Sequence, residues 1–280
     1  MIQDHKVWRN PVFLVSSTII FILVLIGVIM PNAFGHVANI LYEFTTVDFG
    51  WFYLLTVFLI VVFLIGLAIS KYGAIRLAGE GEKPEYPFFT WIGMLFSAGF
   101  GVGLVFWGVA EPMSHFFTPP FENVEAQTET AARLAMGYSF PHWGTSQRAS
   151  FALVGLAIGF LQFRKKKSGL VSTALESVLG NKRPVKHTVD SLAVIATVMG
   201  IATSLGLGVL QISGGLEMVV NVNHSFGLQM LIIVVMFVAY MISTTTGLDK
   251  GIRYLSNFNL LFALGLLVFV FITGPTVFIL

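Results

Sequence analysis

From Ser97 to Pro112 the chain reads Ser-Ala-Gly-Phe-Gly-Val-Gly-Leu-Val-Phe-Trp-Gly-Val-Ala-Glu-Pro, which places three alternate glycines, Gly99, Gly101 and Gly103, in an apolar stretch long enough to cross a bilayer. A helix with that spacing is expected to come apart. In hydrocarbon, freed backbone groups cost several kcal/mol each unless protein, ion or water satisfies them, so irregular backbone at that depth lines a cavity. Broken helices of this kind hold substrate and coupling ion near the midplane of secondary transporters. The glycines therefore mark a candidate binding site.

Composition agrees with a membrane chain: 56% of residues are hydrophobic and 11% charged, and the mean hydropathy is +0.84, far from the ordinary soluble balance. Seven apolar runs approach the roughly 20 residues that span about 30 Å of hydrocarbon. They cover residues 11–30, 51–70, 88–108, 141–163, 188–219, 228–243 and 256–280. The fifth is long enough to tilt, or to bend at Gly200, Gly206 or Gly208. The first is too long for a signal-peptide core and lacks a small-residue cleavage site.

All but two of the 16 Lys and Arg residues fall before run one or after runs two, four and six. The exceptions are Arg133, in an opposite loop, and Arg148, inside run four. Cytoplasmic loops carry the excess of Lys and Arg, so the reading is a plasma-membrane, multi-pass protein with a cytoplasmic N-terminus. The long outer connection contains residues 123–136, which read as a surface helix lying along the membrane. On the cytoplasmic side, Leu170, Val171, Ala174, Leu175 and Val178 are spaced for one apolar face, a candidate coupling helix over residues 168–180.

The glycine segment, His142-Trp143-Gly144, the run Ala149-Ser150-Phe151-Ala152-Leu153-Val154-Gly155-Leu156-Ala157, and Val189 to Gly200 followed by Thr203-Ser204-Leu205-Gly206-Leu207-Gly208 together resemble the betaine/choline/carnitine transporter family. The resemblance runs essentially from Asp4 to the end. It implies an all-α integral membrane fold in which two peripheral helices precede two inverted five-helix repeats. By that template residues 1–87 are the N-terminal tail and the two peripheral helices, and residues 88–280 are the first repeat, spans three to seven. The second repeat is absent and the sequence stops in an apolar run at Ile279-Leu280, so the expectation is an N-terminal half, inactive alone. The alternative is a small membrane module working as a dimer or as a binding or regulatory subunit.

The implied activity is osmoprotective transport of quaternary ammonium compounds such as glycine betaine or choline, by sodium-coupled symport. A quaternary ammonium has no N–H to donate, so aromatic faces must hold its charge, each contributing about 0.5–2 kcal/mol. Trp143 is similar to a cage tryptophan of the family, and Phe151 falls where the family often has another aromatic. Arg148 is a departure, since members typically carry a second cage tryptophan there. Either the site is damaged, the reading favoured by an incomplete chain, or the substrate offers a carboxylate to the guanidinium. Gly99, Gly101 and Gly103 complete the implied substrate site.

For the ion, carbonyls near Ser97 and Phe100 resemble half of a family sodium site, and Thr197 resembles a hydroxyl ligand of a second. The hydroxyl expected one turn after Thr197 is replaced by Ile201. Apart from Asp190 and Glu217, near the ends of span five, the spans hold no carboxylate expected to be buried, which favours sodium over proton coupling.

Other classes find no support. Gly99-x-Gly101-x-Gly103 lacks the spacing and strand-turn-helix context of a dinucleotide fingerprint, and the six histidines show no metal spacing. No nucleophile-base pattern or paired carboxylates point to an enzyme. The expected partners are a small quaternary ammonium substrate, the lipid bilayer and a homo-oligomer, not nucleic acid. No cofactor is expected beyond the coupling sodium ion. The run Arg164 to Lys167 reads as a positive-inside anchor, with lipid binding a weaker option.

Overall fold

The computed structural model describes residues 10–78, 81–99, 102–247 and 251–279, and among them every regular element is helical. In chain order the helices are α1 (Pro11–Ile29), α2 (Pro31–Glu43), α3 (Gly50–Ile69), α4 (Phe88–Gly99), α5 (Val102–Phe117), α6 (Glu129–Phe140), α7 (Gln147–Gly159), α8 (Val171–Ala174), α9 (Glu176–Leu179), α10 (Arg183–Val220), α11 (Phe226–Thr246), α12 (Arg253–Thr273) and α13 (Thr276–Ile279). Among the described residues, α1, α3, α10, α11 and α12 are long and apolar enough to cross a membrane. They coincide with five of the seven expected runs. Run three is represented by α4 and α5 on either side of Phe100 and Gly101, which lie outside the described residues. Run four is represented by α7, with π-helical turns at both ends.

Large apolar side chains stand exposed along these helices, Leu54 at 71% and Ile69 at 82% among them. A helix apolar all round must be covered by lipid or by other protein. The all-α membrane class expected from the sequence is therefore the class observed.

The chain forms two compact units, one of residues Met1–Glu82 and Met136–Ile201, the other of Lys83–Ala135 and Ala202–Leu280. In the first, the Asn10 side chain accepts from Val12 N–H at 3.0 Å and Pro11 occupies the first turn of α1. Met30 leaves the helical region before Pro31, as the proline ring requires of its predecessor, and Pro31 then opens α2. Helix α3 stops at Ser70, whose hydroxyl accepts from Tyr72 N–H and starts the short 3-10 turn Lys71–Ala74. Helices α3 and α7 lie side by side.

The expected coupling helix over residues 168–180 is instead two single turns, α8 and α9, interrupted at Leu175 and closed by Gly180 at φ 70°. They are tethered to α10 by Asp190, whose carboxylate accepts from Ser172 N–H at 3.0 Å and from the Ser172 hydroxyl at 2.7 Å. Both residues are buried.

In the second unit α4 packs on α12. The approach is close because Gly93 has no side chain: a Cβ there would stand 3.0 Å from Asn257 Oδ1 and 3.5 Å from the Ser256 carbonyl oxygen. Helix α5 continues through Pro112 to Phe117, beyond the expected end of span three at Gly108. The expected surface helix over residues 123–136 begins only at Glu129. Gln127 sits at φ 61°, and the Thr128 hydroxyl accepts from Ala131 N–H at 3.2 Å, which fixes the start in the manner of an N-cap. Helix α10 runs unbroken for 38 residues through all three glycines named as bend points, about 57 Å at 1.5 Å per residue. Asn221 at φ 58° follows its end.

Candidate functional site

The segment Pro141–Ser146 is π-helical and closes with Gln147 N–H donating to the His142 carbonyl five residues back. That wider turn brings residues five apart, rather than four, into neighbouring positions. Trp143 and Arg148, both half-buried, are so related, and Phe151 follows Arg148 at the i+3 spacing that makes helix residues neighbours. The three residues nominated from the sequence thus follow one another at helical-neighbour spacing from the π-turn into α7. Phe151 is 56% exposed. An indole and a phenyl ring can offer aromatic faces to a cation, and a guanidinium a planar fork of donors to a carboxylate.

The residues expected as ion ligands are on other helices. Ser97 is half-buried on α4, and its hydroxyl points to the Ser256 carbonyl oxygen of α12 at 3.4 Å. Gly99 is the last residue of α4 and Gly103 lies in the first turn of α5; Phe100 and Gly101 lie outside the described residues. Thr197 is exposed on α10, and its hydroxyl donates to the Ala193 carbonyl at 2.8 Å. That back-bond uses the proton and leaves the oxygen lone pairs able to face a cation. On α5, Glu111 Oε1 and His115 Nε2 stand 3.6 Å apart, one turn from each other.

Three polar arrangements were not anticipated from the sequence. Thr90, Gly93 and Ser97 line the α4 face opposite Ser256 and Asn257, a seam of small and polar residues at i, i+3 and i+7, which is the spacing that would have revealed it. His224 joins the fully buried Ser213 of α10, at 2.9 Å, to Gln229 of α11, at 2.8 Å, and so bridges the connection between those helices. Glu176 pairs with Lys186 at 3.3 Å and with Lys167 at 3.6 Å. The Lys186 ammonium hydrogen-bonded to it, reinforced by Lys167, holds the Glu176 carboxyl below its ordinary range.

Residues 11–280 match the family described as BCCT, betaine/carnitine/choline family transporter. The ectoine/hydroxyectoine transporter of Virgibacillus pantothenticus is 62% identical over 278 residues, 99% of this chain and 56% of that protein. The glycine betaine transporter OpuD of Bacillus subtilis is 43% identical over 96% of this chain and 53% of its own length. The high-affinity choline transport protein of Escherichia coli K12 is 36% identical over 97% of this chain and 40% of its own length. The chain therefore spans about half the length of the curated relatives it matches. The expected resemblance is established, and with it the membership of a transporter, not an enzyme, family: the chain belongs to the betaine/carnitine/choline transporter family.

Proposed function

We propose that this chain supplies the N-terminal part of a sodium-coupled symporter for a zwitterionic osmolyte of the ectoine or glycine betaine kind. Residues 1–87 hold the two peripheral helices and residues 88–280 the first five-helix repeat, in the plasma membrane with the N-terminus cytoplasmic. The observation that supports the substrate class is the spacing of Trp143, Arg148 and Phe151 across the π-turn, in a chain 62% identical to an ectoine/hydroxyectoine transporter. An aromatic face suits the cationic end of such a molecule, and a guanidinium forms bidentate bonds with its carboxylate. Choline has no carboxylate, so the same arginine disfavours it. Of the two readings of Arg148, damage or a carboxylate-bearing substrate, this similarity supports the second.

Sodium is the proposed co-substrate, taken by oxygens near Ser97 and Phe100 and by the Thr197 hydroxyl. A midplane site built at the interface of two repeats loses a wall when one is missing, so this chain by itself is expected to move nothing measurable. The experiment joins it to the C-terminal remainder of the V. pantothenticus relative in a strain lacking osmolyte uptake. Radiolabelled ectoine uptake should appear in the joined protein, require sodium rather than potassium, and be absent with residues 1–280 alone. Uptake by the chain alone would overturn the half-transporter reading in favour of a dimer that rebuilds two repeats. Uptake by the joined protein that ignores sodium would overturn the coupling.

A further inference from the structure

Between α3 and α7 the first unit carries a groove of about 560 Å³, lined by apolar side chains including Phe63, Leu67, Leu153, Leu156 and Phe160, with Tyr72 at one end. These residues come from the C-terminal halves of both helices and from the turn after α3. Basic residues follow immediately: Lys71 and Arg76 after α3, Arg164 and Lys165 after α7. Two ammonium groups are held over rings that line the groove, Lys71 Nζ at 5.4 Å from the Tyr72 centroid and Lys165 Nζ at 5.6 Å from that of Phe160. Among the described residues, none of these four basic side chains forms an ion pair, whereas nearby Lys167 and Lys186 share Glu176.

We propose that this groove is a binding site for an anionic phospholipid, with an acyl chain between α3 and α7 and the phosphate between Lys71 and Lys165. Basic pockets between membrane helices on the cytoplasmic side bind phosphate head groups. The combination here is more selective than a basic loop alone, because an apolar slot and unpaired ammonium groups share two aromatic rings. A soluble anion would satisfy the charges and leave the slot empty, and a neutral lipid would fill the slot and leave the charges unpaired. Only the assignment to the inner leaflet rests on the orientation proposed above.

The test reads lipid retention rather than transport, so it stands or falls separately from the symporter reading. The chain is purified from bilayers holding equal phosphatidylglycerol and phosphatidylcholine, and lipids retained in mild detergent are counted by native mass spectrometry. Phosphatidylglycerol should be retained over phosphatidylcholine by roughly thirtyfold, the size expected of two favourable charges at a membrane surface. The double variant Lys71→Glu, Lys165→Glu should abolish that preference. Lys182→Glu with Arg183→Glu, which changes net charge equally at the start of α10, should not. Ala157→Trp fills the slot with the charges intact and should lower retention of both lipids. Equal retention of the two lipids by the parent chain would overturn the proposal, as would phosphatidylglycerol retention that survives the Lys71, Lys165 double variant. Disulfide formation between copies carrying Leu67→Cys would show that a second copy covers the groove and would equally overturn it.

Discussion

Two helix junctions in this chain are built on opposite rules. At α4–α12 the facing residues are small or polar, Thr90, Gly93 and Ser97 against Ser256 and Asn257, and the backbones come close enough that a single Cβ on Gly93 would crowd its neighbours. At α3–α7 the facing residues are bulky and apolar, and a groove of about 560 Å³ remains. Water drives neither contact in a membrane, where lipid is as apolar as leucine. Close approach then comes from small residues and interhelical hydrogen bonds, and bulky residues leave space that lipid can occupy. The tight junction lies on the helix that carries the start of the glycine segment; the loose one ends in Lys71 and Lys165, each held over an aromatic ring.

The contrast is broken most sharply by adding bulk to each junction. Gly93→Leu should lower stability by about 1–3 kcal/mol, the usual cost of overpacking, seen as a clear fall in the melting temperature in detergent. Ala157→Leu, which adds its side chain toward the α3–α7 groove, should leave melting close to the parent. Equal damage from both would mean that the two junctions do not differ as described.

An effect of similar size but more local consequence is expected at the tether of α8 and α9. Asp190→Ala leaves the buried Ser172 N–H and hydroxyl without their acceptor and should cost about 1–3 kcal/mol, with proteolysis rising within residues 168–180. Smaller is the effect of Glu176→Gln. The Glu176 carboxyl is held below its ordinary range in the fold, so its stabilising effect is present above the ordinary carboxylate range and is lost as pH falls through its folded value. Melting curves of the parent and Glu176→Gln should therefore differ slightly at neutral pH and converge in acid. A gap that widens as pH falls would reverse the assigned sign.

What the sequence could disclose followed hydropathy closely. The apolar runs that became α1, α3, α10, α11 and α12 needed only length and composition. Residues 31–43 carry no such signal, yet form α2 because Pro31 opens it and Met30 must leave α1. Residues 168–180 have helical spacing, but Leu175 and Gly180 break it, and the buried carboxylate of Asp190 holds the remaining turns in place. At the candidate site, Trp143, Arg148 and Phe151 were nominated by resemblance. Their spacing as helical neighbours depends on a π-turn, and a shift in hydrogen-bond register leaves no mark in composition. The Thr90, Gly93 and Ser97 seam is legible by its i, i+3, i+7 spacing, but its partners Ser256 and Asn257 lie 159 to 167 residues away in the chain.

The claim that Arg148 reads a substrate carboxylate is tested most directly by competition in the joined transporter. Arg148→Met keeps an apolar stem and removes the guanidinium. Losing a charge-assisted hydrogen bond worth about 1.5–3 kcal/mol should raise the KM for ectoine by roughly 10- to 100-fold, while inhibition by choline strengthens or stays unchanged. Ectoine KM unchanged by Arg148→Met, with choline competing no better than before, would contradict the account and place Arg148 away from the substrate.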